Sequence, residues 1–480
     1  MASIAKNFGY NILLNVSRVV FPLITAPYVS RVLEPDGIGL FGFSHTYVNY
    51  FVLVALLGIP TYGIREVAKS KSSKIEVGEI VSQLMSISFI CTAIVSLCYI
   101  GSIFLIPKLE ENYLIFLIAG TVLYLAPFQI DWFFQGIERF DFITVRSLII
   151  RIISIVCIFI FVKTKEDLPL YVGISALGTV VGNVWNYVAL YRYGIKVRLS
   201  LNKLSRHLKP LLILFSSSIA ISIYVVLDTI MLGFMSDYSE VGYYTNASYI
   251  SRTLLVLVTS LSAVAIPRIS DFTKNGKTEE INLLIRKSFS IISFLAIPMT
   301  MGIVCLSSEF TILFFGTQYI GTIIPMAIMS GIIIAVGFNN LTGVQVLIGM
   351  GRDKPFLWSV ILGAILNFLM NLFLIPKFGA IGASISSVTA EFVILGLSAY
   401  FVIKYTPVRI TGIRGDIFKS MIGCILFYPV CHMLNNVIKG WEYLILASMI
   451  SGIIYISTEI LLKHGSVSLI LSLVKSKIRK

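Results

Sequence analysis

The sequence predicts an all-α membrane protein with about 14 transmembrane helices, and three observations support this: composition, charge-free runs and the placement of basic residues. Of its 480 residues, 57% are hydrophobic and 13% are charged, and the mean hydropathy is +0.90. A soluble domain needs more charge to cover its surface, so the expected solvent is the bilayer. A spanning helix needs about 20 apolar residues. Runs without Asp, Glu, Lys or Arg cover 38–64, 80–107, 168–191, 288–308 and 310–351.

Each apolar run, taken in chain order, predicts one membrane helix, except that the longest runs also include helix flanks. We allow an error of a few residues at each boundary. The predicted helices lie near 8–30, 38–62, 79–106, 112–135, 145–163, 168–191, 209–233, 241–264, 284–306, 319–347, 355–375, 379–403, 418–438 and 442–462.

Weak internal similarity divides these helices into two halves. Short segments recur in the same order at a separation of roughly two hundred residues, which is six helices. The matched segments are 36–41 with 239–244, 134–139 with 347–352, and 171–175 with 380–384. An even offset gives both halves the same orientation, so the prediction is a parallel repeat of two six-helix bundles (1–200 and 201–405), followed by helices 13 and 14 and a basic tail (406–480). In transporters built from repeats, the substrate site lies between the halves.

The basic residues predict an orientation with both termini in the cytoplasm. Most of the 38 Lys and Arg residues fall in the tail and in loops that this orientation places inside. Six lie in loops predicted to be outside: Arg31, Lys108, Lys163, Lys165, Lys377 and Lys439. The net charge of +14 is therefore mainly a topology signal and does not predict nucleic-acid binding.

Several other signals narrow the function. The first apolar run contains Arg18 and is longer than a signal-peptide core, so we expect helix 1 to remain in the mature protein. The cysteines lie inside apolar runs, without the spacing of a zinc site or a disulfide framework. The predicted outside loops are short, and no Walker-type loop appears. These features argue against a membrane polymerase or glycosyltransferase, so the protein is not expected to be an enzyme.

Ionisable residues at membrane depth are costly, by about 3 kcal/mol on insertion scales, so they normally face a cavity or a partner. The basic ones are Arg18 in helix 1, Arg151 in helix 5 and Arg252 in helix 8; the acidic ones are Asp131, Asp228 and Glu391. Internal ion pairing is one interpretation. The other is that Arg18 and Arg252, in corresponding halves, line a cavity and bind an anion, because guanidinium stays charged and binds phosphate oxygens bidentately. The deep acids could instead bind a coupling proton or sodium ion.

The segment from Pro22 to Leu33, with Gly37-Ile38-Gly39 after it, resembles the opening signature of polysaccharide repeat-unit flippases. These are the Wzx-type members of the multidrug/oligosaccharidyl-lipid/polysaccharide exporter superfamily. The segments 227–233, 241–244 and 349–391 are also similar to that family, and the resemblance covers essentially the whole chain.

The resemblance implies a flippase that moves undecaprenyl-diphosphate-linked oligosaccharide from the inner to the outer leaflet of the bacterial cytoplasmic (inner) membrane by alternating access. The product would be O-antigen, capsule or another exopolysaccharide. Membrane lipids are expected partners, and polymerase and chain-length proteins of the same pathway are candidate partners. Lipid II flippases, a sister family, bind diphosphate with arginines of helices 1 and 8, where Arg18 and Arg252 fall; we add Arg151 as a third candidate.

The same sister family binds sodium between helices 7, 11 and 12. The similar positions here are Asp228, Asn367, Asn371, Ala383 (through its backbone) and Ser387, with Glu391 as a further ion-coupling candidate. Oxygen ligands of this kind suit a hard cation. Asn371 departs from the family, which often has an acid there. No metal is assigned with certainty, no other cofactor is expected, and a sodium ion or a proton is the candidate coupling ion.

Two alternatives belong to the same superfamily. A lipid II flippase would share most of these features. A multidrug or cation antiporter would favour an acidic cavity, so Arg18 and Arg252 argue against it.

Overall fold

The computed structural model describes residues 4–70, 73–200, 202, 204–260, 262–408 and 413–467. Within these ranges the chain is helical and has no strand, which confirms the all-α prediction. The chain divides into two compact units, Met1–Phe234 and Met235–Lys480. The predicted boundaries at 200 and 405 remain predictions.

The described residues of the N-terminal unit form ten α-helices, among which α1 packs against α3 and α8, α2 against α7, and α8 against α9. They are α1 (Ile4–Leu56), α2 (Ile59–Lys69), α3 (Lys74–Leu105), α4 (Pro107–Glu110), α5 (Tyr113–Ala119), α6 (Thr121–Tyr124), α7 (Asp131–Gly136), α8 (Phe140–Phe161), α9 (Leu168–Arg192) and α10 (Ser205–Met235).

Helix α1 contains the first predicted membrane helix and most of the second, whose last residues lie beyond an interruption at Leu57 and Gly58, in α2. The 53 residues of α1 would be far longer than one crossing needs, and the helical conformation is interrupted at Glu34, with φ 59° and ψ 174°. Glu34 precedes Pro35, and the residue before a proline is displaced from the α region. The interruption therefore lies at the predicted boundary between the two helices.

The predicted helix 112–135 is broken into pieces. Helices α5 and α6 are followed by a 3-10 turn, Ala126–Phe128, which contains Pro127, and then by α7. On α7, Trp132, Phe133 and Phe134 are buried against α2. The close approach of these two helices requires Gly63, because a Cβ there would overlap the Trp132 ring.

Nine α-helices are formed by the part of the C-terminal unit that the structure describes, and α13 packs against α15, α17 and α19. They are α11 (Tyr238–Thr259), α12 (Ser262–Lys274), α13 (Thr278–Phe314), α14 (Ile323–Met329), α15 (Gly331–Asn339), α16 (Asp353–Tyr405), α17 (Ile413–Cys424), α18 (Phe427–Val437) and α19 (Gly440–Leu461). The predicted helix 319–347 is divided between a 3-10 segment (Thr317–Thr322), α14, α15 and a π-helix (Asn340–Ile348).

Helix α16 contains the eleventh and twelfth predicted helices. Its helical conformation is interrupted at Gly379, with φ 50° and ψ −126°. The two halves then pack on each other: a Cβ on Gly363 would overlap Ile394, and a Cβ on Gly382 would overlap the Leu374 carbonyl.

In the described part of the chain, nine helices are long and apolar enough to span a membrane, and two shorter apolar helices are Tyr113–Phe128 and Val226–Met235. Two of the nine, Gly9–Leu56 and Asp353–Tyr405, are interrupted as described above. The chain is thus a multi-pass membrane protein, and the total of 14 crossings remains a prediction.

Candidate functional site

Two of the predicted phosphate-binding arginines lie together in the N-terminal unit. Arg18 is on α1 and Arg151 is on α8, two helices that pack against each other. Arg151 contacts α1 at Ser17, the residue next to Arg18, so two like charges lie close together. Arg151 Nη1 donates to Ser17 Oγ at 3.4 Å, and Arg18 Nη1 donates to Asn15 Oδ1 at 3.4 Å. Both recorded partners are neutral.

The protein groups that the structure describes around these two arginines do not neutralise their charges. Among the described residues, no carboxylate forms an ion pair with Arg18 or Arg151. The Arg18 side chain is exposed and that of Arg151 is half-buried, so both can meet a molecule that enters from outside the helix bundle. Two neighbouring guanidiniums without an acid form a site that an anion would stabilise.

Two asparagines extend this polar face of α1. Asn15 Nδ2 donates to Asn11 Oδ1 at 3.3 Å, and both side chains are exposed. Residues 11, 15 and 18 recur at helical spacing, so they share one face. Asn11 and Asn15 were not among the site residues predicted from the sequence. The spacing of polar residues within an apolar run was the signal that could have identified them.

Arg252 lies on α11 of the C-terminal unit. Its Nε donates to Ser248 Oγ at 2.9 Å, one helical turn earlier, and its side chain is exposed. Ser248 is buried, so this bond holds the guanidinium of Arg252, through Nε, against the preceding turn of the helix.

Asp131 has a structural partner that sequence analysis did not assign to it. Arg146 lies on α8 and is only 6% exposed. Its Nη1 is 2.9 Å from Asp131 Oδ1 and donates to the Gly182 carbonyl at 3.2 Å. Asn186 Nδ2 also donates to Asp131 Oδ1, at 2.8 Å. For Asp131, the interpretation as an internal ion pair is therefore confirmed.

Five of the six ion-coupling candidates, all except Asp228, lie on the two halves of α16. Asn371 Nδ2 donates to Asn367 Oδ1 at 3.3 Å, and both residues are buried. On the second half, Ser387 Oγ donates to the Ala383 carbonyl at 2.9 Å. The antiparallel packing of the halves, with Gly363 on Ile394 and Gly382 on Leu374, brings 367–371 opposite the segment around Ser387.

Tyr244 joins this group from α11. Its hydroxyl and Ser387 Oγ are 3.1 Å apart. The group thus offers amide, hydroxyl and carbonyl oxygens, which are ligands of the type that sodium accepts, but none carries a charge. Glu391 is half-buried one turn beyond Ser387, and Asp228 is buried on α10 of the N-terminal unit. Whether these residues bind an ion remains a prediction.

The C-terminal unit also contains an apolar cavity of about 570 Å³. Helices α11, α13 and α19 form most of its wall. Residues that line it include Leu254, Ile303, Leu306, Phe310, Trp441 and Leu444.

Solved structures share this fold. A lipid II flippase MurJ in an inward closed conformation matches with a TM-score of 0.76 at 15% identity, over 95% of this chain and 99% of that one. An inward-facing multidrug resistance MATE family transporter of the MOP superfamily matches with a TM-score of 0.61 at 14% identity, over 81% of this chain and 94% of that one. The protein therefore has the MurJ/MATE-like transporter fold.

Sequence relatives cover most of the chain. A protein of Escherichia coli (strain K12) named "Putative O-antigen transporter" is 28% identical over 416 residues, which are 83% of this chain and 97% of that protein. The lipid II flippase MurJ of Bacillus subtilis (strain 168) is 22% identical over 374 residues, 68% of each chain.

A family model places the chain among these relatives. The model described as "Polysaccharide biosynthesis protein" matches residues 4–273, which are more than half of the chain. The chain belongs to the polysaccharide biosynthesis protein family.

Proposed function

We propose that this protein is a flippase for polysaccharide biosynthesis and that its cargo is an oligosaccharide linked to undecaprenyl through a diphosphate. The cargo would move from the inner to the outer leaflet of the bacterial cytoplasmic membrane, for O-antigen, capsule or another exopolysaccharide. Family membership and the names of the relatives support the transport class. The observation that carries the proposal is the neighbouring pair Arg18 and Arg151 without an acidic partner among the described residues.

A diphosphate headgroup cannot enter hydrocarbon without a compensating charge, because desolvating an ion costs several kcal/mol or more. Arg18 and Arg151 would supply two guanidiniums for its oxygens, with Asn11 and Asn15 beside them as neutral hydrogen-bonding groups. Arg252, in the C-terminal unit, is the third proposed phosphate-binding residue. These cations disfavour a cationic drug as cargo.

The lipid part of the cargo needs apolar contacts. The cavity of about 570 Å³ in the C-terminal unit is walled by aliphatic and aromatic side chains such as Leu306 and Trp441. A segment of a polyprenyl chain fits the chemistry of this wall. We infer that membrane lipids and the lipid-linked oligosaccharide are the partners, with polymerase and chain-length proteins of the same pathway as further candidates.

We infer transport without an enzymatic step, with both termini in the cytoplasm and a sodium ion or a proton as coupling ion. The relatives are named as transporters and flippases, which is in line with this inference. The α16 residues Asn367, Asn371, Ala383 and Ser387 remain the proposed ion-coupling group, together with Asp228 and Glu391.

The test is outward display of polysaccharide in cells that depend on this protein. Arg18→Ala and Arg151→Ala should each reduce display by about tenfold or more, since a charge-assisted contact contributes about 1.5–3 kcal/mol. Arg192→Ala is the matched control, because Arg192 is an exposed arginine at the end of α9. Protein in the membrane fraction is measured in parallel. Normal display by both Arg18→Ala and Arg151→Ala, at a normal level of protein in the membrane, would contradict the proposal.

A further inference from the structure

A carboxylic acid is enclosed near the end of α19, far along the chain from the arginines. Glu459 is 0% exposed, and neither of its carboxyl oxygens accepts a hydrogen bond of good geometry among the described residues; the Ser420 hydroxyl is the neighbouring donor that favours the charged form. His464 Nε2 lies 3.8 Å from Oε2, which is beyond hydrogen-bond distance. An ionised carboxylate without well-aligned donors is costly in such a place, so its charge must be removed or compensated.

His464 is not the compensating cation. The Ser466 backbone N–H donates to His464 Nδ1 at 3.2 Å, and only a ring nitrogen without a proton can accept this bond. Burial lowers the pKa of His464, and Lys419 lowers it further against the opposing effect of Asp416. The ring is therefore neutral, with its hydrogen on Nε2, where Ser420 Oγ lies 3.3 Å away.

The two charged side chains of α17 that the structure describes, Asp416 and Lys419, do not neutralise Glu459 either. Lys419 Nζ is 3.9 Å from Asp416 Oδ1 and donates to the Lys463 carbonyl at 3.2 Å. Its charge is thus directed to the neighbouring acid. Asp416 Oδ1 also accepts from the Gly465 N–H at 3.3 Å, and its negative charge acts against a second one on Glu459.

The other described residues near the Glu459 carboxyl group are neutral. The Tyr455 hydroxyl is within hydrogen-bond distance of Ser420 Oγ (3.1 Å) and of the Phe294 carbonyl on α13 (2.9 Å). Cys424 is a buried thiol on α17 that also interacts with Glu459. On the facing side of α13, Ser290 contacts Ser466. The nearest basic residues along α13 are Arg286 and Lys287, which are exposed.

Space around the carboxyl group is limited. Helix α17 approaches so closely at Gly423 that a Cβ there would lie 3.0 Å from Glu459 Oε1 and 2.8 Å from the Tyr455 ring. A hydrated cation does not fit such a gap, whereas a proton removes the charge without needing volume. No group of three or more potential metal ligands occurs in the ranges that the structure describes.

We propose that Glu459 is a proton-binding site, at which the carboxyl group is protonated while α17, α19 and α13 are packed as described. Loss of the proton places a carboxylate beside Asp416 in an enclosed position, and this disfavours the packing. The site therefore links proton binding to the packing of α17 on α19. It does not depend on the nature of the cargo or on the arginines.

The test is the thermal stability of the purified full-length protein in detergent, measured from mildly acidic to mildly alkaline pH. A group that is protonated in the folded state contributes stability at low pH, and this contribution is lost as the pH rises. The wild type should therefore lose stability with rising pH. Glu459→Gln, which has the shape of the protonated acid, should abolish that part of the loss. Glu442→Gln, at an exposed position on the same helix, should retain it.

If Glu459→Gln does not fold, a second variant and a second measurement test the proposal. Asp416→Asn retains an oxygen for the Gly465 N–H but removes the adjacent charge, so the loss of stability should become smaller and end at lower pH. The infrared band of a protonated carboxyl should be present in the wild type at neutral pH. Equal pH profiles for the wild type and Glu459→Gln, or absence of that band, would overturn the proposal. The proposal would also be overturned if sodium, but not a bulky organic cation, stabilised the wild type and Glu459→Gln abolished this stabilisation.

Discussion

At the scale of single residues, intramembrane charges serve different purposes. Arg146 and Asp131 neutralise each other inside the N-terminal unit, and Asn186 supports the pair. Arg18 and Arg151 repel each other, with neutral Asn15 and Ser17 as their recorded hydrogen-bond partners. The first arrangement stabilises the protein, whereas the second is suited to an external anion.

Removal of Arg146 should therefore reduce stability. Arg146→Ala leaves Asp131 with one partner fewer, and we expect a loss of about 2 kcal/mol. The loss should be smaller than for a fully enclosed pair, because the Asp131 side chain is 32% exposed. Thermal unfolding in detergent measures it. Lys69→Ala, which removes an exposed pair with Glu66, should cost less than about 1 kcal/mol. Equal effects of the two substitutions would contradict this account.

His207 precedes the predicted span 209–233 and should make the N-terminal unit sensitive to acid. Its Nδ1 is 2.9 Å from the Tyr62 hydroxyl and its Nε2 is 2.8 Å from Gln83 Oε1. Burial lowers the pKa of His207, and the neighbouring Arg206 lowers it further. The unfolded chain then binds the proton more readily, so stability falls as the pH drops below 6.5, the ordinary pKa of histidine.

Thermal unfolding as a function of pH checks the role of His207. His207→Gln should reduce the loss of stability on acidification, whereas the same substitution at the exposed His432 should leave it unchanged. A pH profile of His207→Gln identical to that of the wild type would show that this residue does not titrate on unfolding.

At the scale of elements, the reversal within α16 depends on one glycine. Gly379 has a positive φ of 50°, and a Cβ there would overlap the Glu240 carboxylate. Glu240 Oε2 accepts a hydrogen bond from the Ala380 N–H at 2.6 Å, at the start of the second half of the helix. The carboxylate thus holds the first turn after the interruption.

Gly379→Ala should destabilise the C-terminal unit by more than about 1 kcal/mol, since alanine is strained at positive φ and would displace Glu240. The control is Gly396→Ala in the same helix, where a Cβ meets nothing within 4 Å. That substitution should be neutral or stabilise the protein by up to about 1 kcal/mol. Thermal unfolding of the two variants decides: a similar loss in both would refute the requirement for glycine at 379.

Apolar runs predicted where helices occur, because helix length and hydrophobicity are properties of local sequence. They did not predict that the helix 112–135 would be broken into shorter segments, or that Asn340–Ile348 would form a π-helix. Both features depend on packing between helices. Likewise, Arg18 and Arg151 were found as charges in apolar runs, but their proximity depends on the packing of α1 on α8. The burial of Arg146 was not predicted, because α8 begins at Phe140, earlier than the apolar run that predicted the helix 145–163.

At the scale of the whole molecule, the charge distribution separates two functions. The excess of basic residues, +14 in net charge, is concentrated outside the apolar runs and is expected to set orientation. Only Arg18, Arg151 and Arg252 are both deep in predicted helices and assigned to anion binding. The central claim is that these arginines allow a diphosphate-linked lipid to cross the bilayer.

The most direct measurement uses purified protein in vesicles that contain a labelled polyprenyl-diphosphate oligosaccharide, with the label on each leaflet detected by a membrane-impermeant reagent. The wild type should make the lipid accessible from both sides. Arg18→Ala and Arg151→Ala should slow this exchange by about tenfold or more, and Arg192→Ala should not. Two results would contradict the account. One is exchange at the wild-type rate by Arg18→Ala and Arg151→Ala; the other is exchange by the wild type that is no faster than in vesicles without protein.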